Sequence, residues 1–274
     1  LHSTSRRQRQ MCIRDRTGTI QVEFALENEV LGILGRSGCG KSVTLRCIAG
    51  TLQPDEGRIL LDDRVLYDSG KKICLKARER GIGYLFQNYA LFPNMTVLKN
   101  ICFSLKKRDR EGRKYARELL ERFYLTDVAD SYPAILSGGQ QQRAAMARML
   151  AACPGVLLLD EPFSALDSFL RQEMEREVQE VLNTFGGVSI LVSHNKEEIS
   201  RLTSRCMVMD QGRIAEIGET AKIFAAPQSE EGRLLIHGIR AEEMGKENLS
   251  GKGNTGGKDD PAEKENLQKQ EDVL

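Results

Sequence analysis

The eight residues Gly35-Arg36-Ser37-Gly38-Cys39-Gly40-Lys41-Ser42 follow the spacing G-x-x-x-x-G-K-[ST]. Those residue types at that spacing suit a dense anion. Successive backbone N–H groups form a concave nest, glycine lets the backbone approach closely, and a following helix points its positive end inward. Lys41 adds a mobile charge for terminal phosphate oxygens, and the Ser42 hydroxyl is a candidate ligand for Mg2+. Gly35 through Ser42, with Val43 behind them, are therefore the candidate nucleotide-phosphate site. The competing reading is a glycine-rich turn with no ligand. Cys39 reads as a small residue tolerated in the loop, with a redox-sensing thiol as the alternative. Further along, the apolar run Val156-Leu157-Leu158-Leu159 ends on Asp160-Glu161. Ligands of open α/β sheets sit beyond the carboxyl ends of the strands. Asp160 is placed to hold Mg2+, and Glu161 to polarise an attacking water. His194 follows another apolar run, 188–192, and is expected at the same sheet edge, where a neutral imidazole can bond a phosphate and orient water.

These groups need a scaffold that brings distant segments to one edge. Val22, Phe24 and Leu26 alternate like a half-buried strand, and Val30–Leu34 is a short apolar strand feeding the glycine loop and a helix over 42–49. Pro54–Gly57 reads as a turn before a strand at 58–61, and 82–86 is a further strand. Tyr115, Ala116, Leu119, Leu120 and Phe123 share one helical face within 109–123. Leu170, Met174, Val178, Val181, Leu182 and Phe185 give a second helical stripe. The continuous apolar runs 156–159 and 188–192 suit strands buried on both faces of a parallel sheet. Residues 207–210 and 213–217 read as a hairpin around Gln211-Gly212. Strands alternating with helices predict an α/β fold with a mostly parallel sheet.

Composition narrows the classes. The 40 Lys and Arg nearly cancel the 39 Asp and Glu of this 274-residue chain, which argues against a nucleic-acid partner bound through a global basic surface. No apolar run approaches the roughly 18 residues that a membrane span needs. The seven cysteines lack a C-x-x-C pair, so neither a disulfide framework nor a zinc site is expected, and a reducing compartment fits. The ends differ from the middle. Residues 1–16 begin with Leu1, carry five Arg and resemble translated sequencing-adapter text; they are expected to be a non-native leader outside the fold. Residues 239–274 are polar and glycine-rich and are expected to be a disordered tail.

Leu136-Ser137-Gly138-Gly139-Gln140 carries the family resemblance. It is similar to the signature sequence of ATP-binding cassette (ABC) ATPases. Gln87 resembles that family's Q-loop, Ser164-Ala165-Leu166-Asp167 its D-loop, and Ser193-His194 its switch. The resemblance covers about residues 17–224 and implies one ATPase domain over 17–238. Its fold would be that of a P-loop NTPase: a mostly parallel core sheet, an antiparallel β subdomain, and an α-helical signature subdomain over about 92–150. It implies ATP and Mg2+ as ligands, with Ser42, Gln87 and Asp160 around the metal and Glu161, His194 and Gln87 in catalysis. It also implies a second copy of the cassette. The signature residues Ser137, Gly138, Gly139 and Gln140 of one copy would close on the ATP held by the loop of the other.

The 49-residue spacing from Gln87 to Leu136 leaves no room for the long coiled coil of chromosome-type cassettes, and only one set of motifs is present. The ATPase subunit of a membrane importer is the reading that remains ahead of an exporter subunit or a soluble cassette ATPase. Such a subunit works at the cytoplasmic face of the membrane with transmembrane permease subunits and, indirectly, a solute-binding protein. The segment Tyr89-Ala90-Leu91-Phe92-Pro93 is either the docking patch for the permease or local packing. The text from Leu66 to Val97 and from Leu158 to Asp167 resembles the molybdate/tungstate type, with sulfate, polyamine, iron and sugar importers as alternatives. Two departures stand out. The family's adenine-stacking aromatic falls near Arg16, where there is none. The short polar end predicts no β-rich regulatory domain.

Overall fold

The computed structural model describes residues 9–14, 20–105, 109–164, 166 and 168–238. In chain order the strands are β1 (Arg9–Arg14), β2 (Gln21–Leu26), β3 (Val30–Leu34), β4 (Glu56–Leu61), β5 (Arg64–Asp68), β6 (Ile73–Cys74), β7 (Ile82–Leu85), β8 (Val156–Asp160), β9 (Val188–Val192), β10 (Arg205–Asp210) and β11 (Arg213–Glu219). The helices are α1 (Lys41–Ala49), α2 (Val97–Phe103), α3 (Arg110–Arg122), α4 (Gly138–Ala151), α5 (Ser168–Phe185), α6 (Lys196–Leu202), α7 (Thr220–Ala225) and α8 (Glu230–His237).

All strands join one sheet in the order β6-β5-β4-β1-β2-β11-β10-β3-β9-β8-β7. From β10 to β7 every neighbour is parallel, so β3, β9, β8 and β7 end at one common edge. Every residue of β8 and β9 is buried, as continuous apolar runs in a two-sided parallel sheet require. The other wing, β2-β1-β4-β5-β6, is antiparallel. This is the α/β architecture of a P-loop ATPase with an antiparallel β subdomain. Helices α2, α3 and α4 lie between β7 and β8 in sequence and pack on one another as a helical subdomain. Apolar side chains form two clusters. One joins the helical subdomain to α5 and α6 across Leu157 and Leu159; the other joins α1 to the antiparallel wing across Leu158 and Ile190.

One expectation needs correction. The stretch 1–16, set outside the fold, supplies β1, which pairs with both β2 and β4. Met11 and Ile13 alternate inward and are buried, so period-two patterning gives the arginine-rich segment one apolar face. Residue 16, where the adenine-stacking aromatic was sought, and the tail 239–274 lie outside the described residues. The helix expected over 109–123 is α3, with the Asp109 carboxylate accepting from the Gly112 N–H at 2.9 Å as its N-cap. The turn placed at Pro54–Gly57 is shorter than expected, because Glu56 and Gly57 already belong to β4.

The helix after the glycine loop is fastened at its far end. Gly50 closes α1 in the left-handed conformation at φ 78. Arg80, 1% exposed, donates to the carbonyls of Cys47 at 2.7 Å, Ile48 at 2.8 Å and Leu75 at 2.9 Å. Burial pushes its pKa down from the usual guanidinium value. A side chain at position 50 would collide with that guanidinium, since a Cβ there meets Arg80 Nε at 2.4 Å.

Candidate active site

Strand β3 delivers the chain to Gly35, and α1 begins at Lys41, so the glycine loop spans the end of the parallel sheet. Gly38 and Gly40 take φ of 83° and 103°, which only glycine adopts without strain. Gly35 is small for another reason: a Cβ there would meet the Met209 carbonyl at 2.5 Å and Cys39 Sγ at 2.6 Å. Lys41 folds back over the loop, donating to the Gly35 carbonyl at 2.6 Å and the Arg36 carbonyl at 2.9 Å. Cys39 is buried, and that burial pushes its thiol pKa up although Lys41 pulls the other way. A protonated thiol fits the reading of Cys39 as a small packed residue.

The acids arrive from β8. Asp160, 8% exposed, accepts from Ser42 Oγ at 2.8 Å through Oδ1 and from Tyr84 Oη at 2.7 Å through Oδ2. Glu161 turns the chain with φ 46, a strained conformation for a non-glycine residue, while its N–H bonds to the Val192 carbonyl at 3.0 Å. That turn sends its carboxylate away from Asp160 and toward His194, whose Nδ1 lies 3.5 Å from Glu161 Oε2. His194 is 64% exposed at this contact and Glu161 only 20%. Gln87, after β7, donates to Ser164 Oγ at 3.3 Å, and Ser164 donates to the Glu161 carbonyl at 3.0 Å. Glu161, Ser164, Ser193 and His194 line one small cleft. Among the described residues, no hydrogen bond joins Gln87 to Ser42 or Asp160. Behind His194, Ser193 donates to buried Glu198 at 2.5 Å.

Sequence reasoning therefore placed Lys41, Ser42, Asp160, Glu161 and His194 at one edge, and the structure brings them there. It missed Tyr84, which carries no motif and reaches Asp160 only because β7 pairs with β8. It also missed Glu231 of α8, whose Oε1 lies 2.9 Å from Arg36 Nε in the loop. The signature behaves differently. Ser137 and Gln140 cap α4 reciprocally: Gln140 N–H donates to Ser137 Oγ at 3.3 Å and Ser137 N–H to Gln140 Oε1 at 3.0 Å. The N–H groups of Gly138 and Gly139 begin the helix and have no partner in its ladder. Among the described residues, no hydrogen bond or ion pair links Ser137–Gln140 to Gly35–Ser42. In 89–93, Tyr89 is core, its hydroxyl 3.3 Å from Gln142 Oε1. Phe92 is exposed, stacks edge-on with exposed Phe103 at 4.7 Å between ring centroids, and lies under the Arg148 guanidinium.

A strand, a glycine nest opening a helix, and a carboxylate at the end of β8, one strand beyond β3's neighbour β9, define a P-loop ATPase. The family model for ABC transporters matches residues 21–164, more than half of the chain, and the chain belongs to that family. Those residues form part of an ATP-binding, ATP-hydrolysing cassette. The chain is similar to the sulfate/thiosulfate import ATP-binding protein CysA of Mannheimia succiniciproducens. The two are 43% identical over 217 residues, which is 77% of this chain and 59% of that protein. It is also 43% identical to the spermidine/putrescine import ATP-binding protein PotA of Bacillus cereus, over 74% of this chain and 61% of that one. The chain thus spans about three fifths of the length of these curated relatives. Among solved structures it is similar to the ATP-binding cassette MJ0796 in a dimeric post-hydrolysis state bound to ADP and Pi. That match has a TM-score of 0.63 and 27% identity, and covers 78% of this chain and 98% of the other. It is likewise similar to cbiO1 of Clostridium perfringens, part of the ABC transporter complex cbiONQ, with a TM-score of 0.69 and 28% identity over 89% and 98% of the two chains.

Proposed function

We propose that this chain is the ATP-hydrolysing subunit of a membrane importer, with sulfate or thiosulfate as its solute. The observation that carries the importer reading is the 43% identity, over most of the described chain, to subunits named for sulfate/thiosulfate import. Polyamine import is the second reading, favoured by the equal identity to the spermidine/putrescine protein. The molybdate/tungstate reading rests on text that these relatives do not separate from their own, and it ranks below both.

The site residues take the following roles in this proposal. The N–H groups of the loop Gly35–Ser42 cradle the phosphates, and Lys41 exchanges its two loop carbonyls for β- and γ-phosphate oxygens. Val43 seats the loop on α1. The Ser42 hydroxyl and the Asp160 carboxylate are hard oxygen donors 2.8 Å apart at the loop's mouth, a set that suits Mg2+ completed by phosphate oxygens. When bound, that ion neutralises charge between the β- and γ-phosphates. Glu161 accepts a proton from water as the water oxygen bonds to the γ-phosphorus and the bridging oxygen leaves with ADP. His194, beside Glu161, bonds the γ-phosphate and orients that water. Gln87, tied through Ser164 to the Glu161 backbone, reports the state of the γ-phosphate.

Catalysis of this kind is positioning plus electrostatics, so a half-built site is inactive. The separation of Ser137–Gln140 from the loop within one copy supports a second copy as the partner whose Gly138 and Gly139 N–H groups complete the site. No helix among the described residues is long and apolar enough to cross a membrane. The proposed permease is a separate chain, docked near the exposed Phe92 and Phe103. ATPase activity in liposomes with the co-purified permease and its solute-binding protein tests the proposal. Stimulation by sulfate or thiosulfate supports it, whereas stimulation by spermidine, molybdate or tungstate alone moves the solute accordingly. Failure to co-purify any membrane protein overturns the importer reading.

A further inference from the structure

We propose that Tyr84 is a positioning residue for the metal carboxylate: its hydroxyl anchors one oxygen of Asp160, turns the other toward Ser42, and thereby sets the site's preference for a small divalent cation. The inference rests on the reading above that Asp160 and Ser42 hold the ion that accompanies ATP.

The sheet explains how Tyr84 comes to be there. In the parallel pairing of β7 with β8, Tyr84 lies opposite Leu158. Asp160 lies two residues further along the same face of β8, about 6.6 Å at ordinary strand rise. A phenylalanine-sized ring stops short of that distance, and the para-hydroxyl covers the remainder. The bond closes at 2.7 Å on Oδ2, while Ser42 closes at 2.8 Å on Oδ1. Each carboxylate oxygen thus accepts one O–H from a different element, β7 on one side and α1 on the other. Rotation of the carboxylate about its last bond would break both.

The tyrosine is itself held. Its ring packs against the apolar cluster beneath α1 and lies 4.3 Å from the Phe86 ring centroid. The hydroxyl is the donor of this bond, because an ionised carboxylate oxygen can only accept. Groups that hydrogen-bond a ligating carboxylate orient it and tune the metal, and their loss typically costs roughly 10–100-fold in metal affinity or activity. Mg2+ needs near-ideal octahedral geometry, whereas Ca2+ tolerates a range of oxygen positions. A carboxylate freed to rotate should weaken Mg2+ more than Ca2+.

The test uses the full chain with ATP, titrated calorimetrically in EDTA and then against Mg2+ or Ca2+, for the parent, Tyr84→Phe and Asp160→Asn. For Tyr84→Phe we expect unchanged ATP affinity in EDTA. We also expect about a tenfold rise in the Mg2+ concentration giving half-saturation and a smaller rise for Ca2+. If Tyr84→Phe follows the parent with both ions while Asp160→Asn loses its Mg2+ dependence, Tyr84 only packs and the inference is overturned. If Asp160→Asn also keeps the parent's dependence, the reading of Asp160 as the metal carboxylate fails first. Should Tyr84→Phe not fold, 3-fluorotyrosine placed at position 84 gives a second readout. Its fluorine signal should move when Mg2+ is added to the ATP complex, and a signal that stays fixed refutes the role.

Discussion

Replacing Arg80 with Met should destabilise the fold without touching a residue of the proposed phosphate site. The fork of Arg80 serves three carbonyls on two segments: Cys47 and Ile48 at the end of α1, and Leu75 before β7. Hydrogen bonds from a charged donor contribute about 1.5–3 kcal/mol each, so the gross loss for three is roughly 4.5–9 kcal/mol. Two terms offset it. Cys47 O also accepts from the Gly50 N–H at 3.2 Å and keeps that partner. A buried guanidinium carries a desolvation cost of several kcal/mol that Met does not. The net cost should be about 3 kcal/mol, and for a domain of this size each kcal/mol lowers Tm by about 2–4 °C. Thermal unfolding followed by circular dichroism should show a fall of about 6–12 °C. Arg80→Lys should recover only part of it, because one ammonium cannot span carbonyls that a planar fork reaches. A Tm within 2 °C of the parent for Arg80→Met would show that the fork contributes no net stability, and the argument from carbonyl satisfaction would be wrong.

Lys41→Ala should lose ATP binding, read by calorimetry; parent-like affinity would remove Lys41 from the phosphate site. Glu161→Gln should still bind ATP but hydrolyse it at least about a hundredfold more slowly, the usual scale for losing a general base. Turnover at the parent rate would assign that role elsewhere. Gly32→Ala should cost about 1–3 kcal/mol in urea unfolding. Its Cβ meets Ile199 Cγ2 and Thr203 Oγ1, both at 2.8 Å, and these β-branched side chains have little room to turn. Glu198→Gln should raise stability more at pH 8 than at pH 5. Burial pushes the Glu198 carboxyl pKa up, against the Ser193 bond; Glu175 pushes it further, while Arg171 and His194 pull it down. Because the folded pKa lies above the unfolded value of about 4.3, the native state binds the proton more tightly. Parent stability from this group is lost as pH rises through the folded pKa, and Gln removes that loss. Melting curves with no pH-dependent difference would refute it.

Most of the candidate catalytic edge was legible because its signals are local. A glycine nest, a lysine and a helix start are neighbours in sequence, so Gly35–Ser42 declares its chemistry wherever it folds. The runs 156–159 and 188–192 read as buried strands for the same reason: a short, nearly continuous apolar run suits a strand covered on both faces of a parallel sheet. Ser137 and Gln140 likewise form their capping box within four residues. Tyr84, Arg80 and the contact of Arg36 with Glu231 carry no such signal, since each acts on a group brought near only by the sheet or by packing. The strand at Arg9–Arg14 was hidden by its arginines, which composition counts but alternation outweighs once β2 and β4 offer hydrogen bonds on both sides. What the sequence determined by itself is the kind of chemistry, because phosphate binding is built from adjacent backbone groups. Only the tertiary structure decided which side chains hold the acids and the loop in place, because strand pairing sets that geometry across more than 70 residues of chain between Tyr84 and Asp160.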